Sequence, residues 1–319
     1  MSPRAVDFAI LALGVAAVST AAVLIREADA PALVIATYRL GLASLPLLIV
    51  SGASGKRLVP GSRHAVTLTL LSGLFLAFHF AFWIASLQQT SVLTSVVLVT
   101  LQPLFVALAS GPLLGERPRL GTWLGIGLAV AGGGIMVAED IGSGRDTLRG
   151  DLFAVVGAVF AAAYILCGRS LRTRGDEWLP YVTRVYSVAA AVLLALVLVS
   201  GDPLGGYSLR TYGFFALLAL VPQLIGHTAI NRSLGYLPAA TVAVAILGEP
   251  VGASLLAALF LDETPSAAEG AGAFLVLAGV YAGVRGGLTG QENGTIARSR
   301  REMMEPGEPL EEDSARLDH

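Results

Sequence analysis

The feature that most constrains this chain is a series of ten apolar stretches, each about twenty residues long, divided by short polar breaks. About 20 helical residues cross the roughly 30 Å hydrocarbon core of a bilayer. Backbone in hydrocarbon must satisfy its own hydrogen bonds, and a helix does so within one segment. The stretches cover residues 6–25, 31–50, 65–87, 91–112, 120–138, 151–168, 179–200, 211–231, 238–260 and 269–288. They predict an all-α membrane protein with ten transmembrane helices. Charged or proline-containing stops follow most of them, among them Arg26-Glu27, Lys56-Arg57, Arg117-Pro118, Glu139-Asp140, Asp202-Pro203 and Asp262-Glu263. Between the third and fourth stretches only Leu87-Gln88-Gln89-Thr90 interrupts the run. Two amides in lipid would be costly without partners, so a tight turn is expected there.

Composition agrees. Only 14% of the residues are Asp, Glu, Lys or Arg and the mean hydropathy is +0.72; soluble domains carry roughly 25% charged residues. The net charge of −2 argues against a nucleic-acid partner, which calls for a basic patch. A single cysteine, Cys167, permits no disulfide framework and no cysteine metal cluster, and neither a cofactor nor a metal is expected. The first apolar run, 8–25, is longer than a signal-peptide core and is read as a retained span. Basic residues set the orientation. Arg4, Lys56, Arg57, Arg63, Arg117, Arg119, Arg169, Arg172, Arg174, Arg232 and Arg285 gather on one side, against Arg26, Arg145, Arg149 and Arg210 on the other. The positive-inside rule then places both termini in the cytoplasm of a multi-pass protein of the cytoplasmic (inner) membrane. The Glu-rich segment 290–319 lacks apolar periodicity and is expected to be a disordered cytoplasmic tail.

The chain also repeats itself. At an offset of 147, Thr94 matches Thr241, Pro103 matches Pro250, Glu116 matches Glu263, Pro118 matches Pro265, Gly125 matches Gly272 and Gly132 matches Gly279. At slightly different offsets His79 aligns with His227 and Arg39 with Arg184. Each half holds five stretches, so the second half enters the membrane from the opposite side. The expected architecture is therefore two inverted five-helix repeats, 1–140 and 141–289, an arrangement that recurs in secondary transporters.

Residues 94–132, with Gln102-Pro103, Leu114-Gly115-Glu116-Arg117-Pro118 and a glycine-rich final helix, resemble the EamA family of the drug/metabolite transporter superfamily. The second half repeats the pattern as Gly248-Glu249-Pro250, Leu261-Asp262-Glu263-Thr264-Pro265 and the glycine-rich 270–283, with Leu261-Asp262-Glu263 replacing the usual Leu-Gly-Glu. The resemblance covers about residues 6–288. It implies a central cavity and, often, export of amino acids or other small metabolites by alternating access. It names no cargo.

Charged residues inside spans cost roughly 2.5–3.5 kcal/mol on insertion scales and must face a partner or a cavity. Arg39, Arg184 and Glu249 are the three in question. Arg39 is read either as a clamp for a carboxylate or phosphate, or as a structural residue that pairs with Glu249 or caps the carbonyls of a broken helix. Arg184, nearer a membrane face, is expected to snorkel. Glu249 is the expected site of proton coupling. Pro103 and Pro250, mid-span at equivalent places, are expected to kink their helices by removing the bonds to the Val99 and Ile246 carbonyls. His79, Trp83 and Ser86 share one helix face, and Ser91, Ser95 and Gln102 another. The substrate-binding set is thus Arg39, Tyr38, His79, Trp83, Gln102 and Glu249, with Gln223, His227 and Asn231 behind it. The glycines at spacings of four and seven in spans five and ten are read as close helix packing, with a homodimer seam as the alternative. The rival functions are an intramembrane enzyme and a channel or receptor on a duplicated bundle. No zinc-protease, aspartyl-protease or serine-elbow motif occurs, and no ATP-binding loop.

Overall fold

The computed structural model describes residues 3–55, 58, 60–102, 104–106, 108–109, 120–142, 147–172, 176–233 and 245–282. Pro103 and the 290–319 tail lie outside these. The described residues are almost entirely helical: α1 (Pro3–Ser19), α2 (Ala21–Glu27), α3 (Ala32–Ala53), α4 (Arg63–Leu87), α5 (Val92–Val99), α6 (Leu120–Gly142), α7 (Leu148–Arg172), α8 (Trp178–Ser200), α9 (Leu209–Leu218), a π-helical segment (Ala219–His227), α10 (Thr228–Ser233), α11 (Gly248–Phe260) and α12 (Ala267–Ala282). Among the described residues six continuous helices are long and apolar enough to cross a membrane: Val6–Glu27, Ala32–Ala53, Arg63–Leu87, Leu148–Leu171, Trp178–Ser200 and Leu209–Ser233. Four shorter apolar helices, Val92–Val99, Trp123–Ala138, Gly248–Phe260 and Ala267–Ala282, fall in the other stretches.

Local chemistry fixes several ends. Ser62, Ser91 and Ser208 each accept a hydrogen bond from the backbone N–H three residues on, capping α4, α5 and α9. Gly201 ends α8 at φ +78°, in the left-handed region where glycine carries no Cβ penalty. The expected tight turn follows Leu87, and its amides find partners: Gln88 Nε2 donates to the Ala30 carbonyl (2.9 Å) and Gln89 Nε2 to that of Ala85 (3.0 Å).

Packing is dominated by α4 on α7 and α8, α3 on α8, and α1 on the π segment, α10 and α11. Helices α6 and α12 cross at their glycines. A Cβ on Gly132 would lie 2.5 Å from the Gly272 carbonyl oxygen, and one on Gly279 would lie 2.6 Å from that of Gly125. These glycines pack α6 on α12 within the chain, as their spacing leads one to expect.

The proline expectation is also corrected in part. Pro250 is not mid-helix. The chain is helical at 245–246, turns at Leu247 and restarts at Gly248, which places Pro250 in the first turn of α11. There its missing N–H would have been unsatisfied anyway. The π segment was not expected at all. It contains Pro222, whose ring excludes the normal bond to the carbonyl four residues back.

One end of the bundle is tied by polar side chains. Arg26 pairs with Glu263 and donates from Nη1 to the Leu87 carbonyl (2.6 Å), while the other Glu263 oxygen accepts from Val92 N (2.9 Å), the first residue of α5. Glu269 accepts from Ser91 Oγ (2.8 Å) and from Ser266 N (2.9 Å). This is the end that the basic-residue asymmetry assigns to the outside.

Candidate functional site

Among the described residues Arg39 is the largest fully buried side chain, at 0% exposure. Helix α3 carries it against α4 and the π segment. Its Nε donates to Gln223 Oε1 (2.8 Å), and its guanidinium carbon lies 4.2 Å from the centroid of the Phe80 ring and 5.6 Å from that of Trp83. Phe80 and Trp83 are three apart on α4, hence on one face. Among the described residues the guanidinium end nitrogens Nη1 and Nη2 have no acceptor. Around them Trp83 Nε1, Gln223 Nε2 and the Tyr186 hydroxyl are likewise buried without a hydrogen-bond partner. Tyr186 lies beside Gln223 and Thr228, but not in the geometry of a hydrogen bond.

Magnitudes decide what this cluster is. A buried donor left unpaired costs about 1–3 kcal/mol, and more when charged. The cation–π contact returns about 2 kcal/mol and the single Gln223 bond a similar amount. Five unsatisfied nitrogen and oxygen atoms therefore outweigh what the cluster gains from itself. It is built of donors and is complementary to an acceptor-rich group.

The other residues expected at a site sort as follows. His79 donates from Nδ1 to the Gly157 carbonyl (3.0 Å), a cross-link between α4 and α7; its ring lies parallel to Trp83 (6.0 Å, 8°) and close to Phe80 (4.8 Å). His227 meets the same Phe80 ring edge-on at 5.8 Å. Both histidines thus frame the Arg39 cluster through Phe80. Glu249 sits in the first turn of α11, half-buried, within electrostatic reach of Arg39. No ion pair joins the two, so the reading of Arg39 as a direct structural partner of Glu249 is corrected: its hydrogen bond goes to Gln223.

Tyr38 is not brought to Arg39. Its hydroxyl donates to the Leu204 carbonyl (2.6 Å) and its ring stacks on Phe215 (4.5 Å, 12°), which pins the 201–208 loop. Successive helical residues point about 100° apart, so a neighbour in sequence is not a neighbour on the face. Gln102 is half-buried beyond the end of α5. Ser95 hydrogen-bonds Ser86 and Ser91 caps α5, so the expected polar face of span four joins helices rather than lining the Arg39 cluster. Asn231 Nδ2 donates to the His227 carbonyl (2.8 Å). Arg184 pairs with Asp176, just before α8 at the opposite end from Arg26.

Two residues of the cluster, Phe80 and Tyr186, escape the sequence reading. The one sequence signal for Phe80 is its place between His79 and Trp83 on α4. Tyr186 carries no signal, because buried tyrosines are common in apolar helices. Two surface depressions, of about 440 Å³ beside Asp29, Tyr207 and Thr211 and about 290 Å³ beside Val66, Thr183 and Arg184, are lined by none of the cluster. The cluster is enclosed.

Comparison with known proteins places the chain. It is 29% identical over 260 residues to the pseudopaline exporter CntI of Pseudomonas aeruginosa (strain UCBPP-PA14), covering 80% of this chain and 87% of that protein. It is 23% identical over 215 residues to the uncharacterized transporter YwfM of Bacillus subtilis (strain 168), covering 67% of this chain and 71% of that one. A solved crystal structure shares the fold, with a TM-score of 0.63 at 19% identity, over 88% of this chain and 97% of its own. The model of the EamA-like transporter family matches residues 5–138 and again 148–284. This multi-pass membrane protein belongs to the EamA-like transporter family.

Proposed function

We propose that the protein is a secondary transporter of the cytoplasmic membrane that exports small metabolites, amino acids among them, by alternating access around a central site. In this reading ten helices form two inverted five-helix halves, 1–140 and 141–289, and both termini are cytoplasmic. The observation that supports it is an exchange symmetry in the packing. Number the spans one to ten. The third (α4) lies on the sixth (α7), and the first (α1) lies on the eighth (the π segment and α10). The fourth (α5) lies on the sixth, and the ninth (α11) on the first. The second and seventh (α3, α8) meet each other, as do the fifth and tenth (α6, α12). Exchanging the halves turns the first pairing of each of these two couples into the second and maps second–seventh and fifth–tenth onto themselves. Two such halves in exchanged conformations open one site first to one side and then to the other. Similarity to an exporter supports the outward direction.

Glu249 is the residue we assign to proton coupling. It is the acidic group nearest the Arg39 cluster in electrostatic terms, and it stands at the break at Leu247. Transport is tested in proteoliposomes loaded with labelled amino acids, organic acids and their amides. At least one solute should leave faster than from protein-free vesicles, with saturation. No accelerated solute, or an unsaturable ionic current in planar bilayers, overturns the reading, the latter in favour of a channel.

A further inference from the structure

We propose that Arg39, Trp83, Tyr186 and Gln223 form a carboxylate-binding site, in which the Nη1/Nη2 edge of the guanidinium takes a solute carboxylate bidentately. As a statement about cargo it rests on the transport reading; as a binding site it does not.

The guanidinium has two edges able to grip a carboxylate. Gln223 occupies the Nε position, so the end formed by Nη1 and Nη2 is the fork left over. The Phe80 ring at 4.2 Å, with Trp83 beyond, fixes the guanidinium. Lysine in its place would offer a point charge without a fork. The remaining unpartnered groups, Trp83 Nε1, Gln223 Nε2 and the Tyr186 hydroxyl, can all donate. Trp83 is 3% exposed, and Gln223 and Tyr186 are 1% exposed. Three polar side chains at such burial, each with an idle donor beside one cation, mark a built site for an anion.

Charge selects the class of anion. Arg39 is the permanent cation of the cluster. His79 has its Nδ1–H engaged by Gly157, and Glu249 lies within electrostatic reach. One carboxylate neutralises Arg39. A phosphate dianion would add a second negative charge in the field of Glu249, with no second permanent cation to receive it. Flat geometry favours the same choice, since a carboxylate matches the planar fork.

The test uses the purified full chain in detergent and follows thermal unfolding. The probes are benzoate, succinate and leucine, each beside its amide, and inorganic phosphate. At least one acid should raise the melting temperature by roughly 3 °C or more at saturating concentration, and its amide should not. Arg39→Gln should abolish the shift, and Arg39→Lys should weaken acid binding by ~30-fold or more. Tyr186→Phe guards against a variant that fails to fold. It deletes a donor that has no partner among the described residues and keeps the ring. It should leave the ligand-free melting temperature unchanged or higher, yet weaken acid binding about tenfold. The proposal is overturned if no acid shifts the melting temperature, if amides or phosphate do so as well as the acids, or if Arg39→Gln keeps the shift. The two readings fail separately. Amides that cross proteoliposomes as fast as acids would leave transport standing and remove the carboxylate. Acid binding that depends on Arg39 without any solute movement would do the reverse.

Discussion

Glu263→Gln should loosen the end of the bundle closed by Arg26. In the native protein Glu263 does two things: one oxygen pairs with Arg26 and the other accepts from Val92 N at the start of α5. Glutamine keeps an acceptor for Val92 and the same shape, so only the negative charge facing Arg26 is lost. The two side chains are 29% and 26% exposed. Fully exposed pairs contribute about 0–1 kcal/mol, whereas hydrogen bonds to charged groups in buried settings contribute about 1.5–3 kcal/mol. A quarter-exposed pair belongs between these, at about 1–2 kcal/mol. At about 1.4 kcal/mol per tenfold, opening of this end should become about 5–30 times more frequent. The assay exploits the lone cysteine. In a Cys167→Ala background, Thr90→Cys introduces a thiol at a position 4% exposed, in the turn that Arg26 holds through Leu87. Its labelling by a membrane-impermeant maleimide reports the opening. Labelling that rises less than twofold in the folded Glu263→Gln variant would refute the assignment of the Arg26–Glu263 pair as a latch.

Arg39→Ala should abolish solute efflux from proteoliposomes while Arg184→Ala retains most of it, because Arg184 pairs with Asp176 at the bundle end; equal loss at normal expression would remove the distinction. Glu249→Gln should still exchange cargo but no longer let a proton gradient drive accumulation, and wild-type dependence on pH in that variant would exclude Glu249 as the coupling residue. Gly132→Val should destabilise the protein by about 1–3 kcal/mol or more, read as a lower melting temperature, since its Cβ would sit 2.5 Å from the Gly272 carbonyl oxygen and backbone cannot yield as a side chain does. A reporter active only outside the cytoplasm, fused after His319, should be silent; activity would reverse the topology.

How much of this was legible depends on the range over which each interaction acts. The turn at 88–91 followed from two glutamines in an apolar run, a local cost with a local remedy. His79 and Trp83 came together because residues four apart share a helix face. Gly132 and Gly272 were read as packing glycines from spacing alone, but spacing cannot say whether the opposite wall belongs to the same chain. The bond from Arg39 to Gln223 spans 184 positions and has no sequence signature. Tyr38 failed for the opposite reason: adjacency suggested a shared site that the helical rotation forbids. Pro250 was misplaced because a proline reads alike in the middle of a helix and in its first turn, and only the break at Leu247 tells them apart.

The π-helical segment deserves a mechanical reading. A π turn bonds each residue to the one five back, so it is an α-helix into which one residue too many has been fitted. In a crystal such a fault would be called a dislocation, and it can glide without the lattice melting. Gln223 lies inside this faulted stretch and His227 at its end, and Gln223 carries the hydrogen bond to Arg39. A one-step slip of the surplus residue turns the side chains it passes by about 100° about the helix axis, while the helix above and below keeps its bonds. Such a slip would let this span bend by re-indexing rather than by unwinding, and the rotation at Gln223 would let go of Arg39.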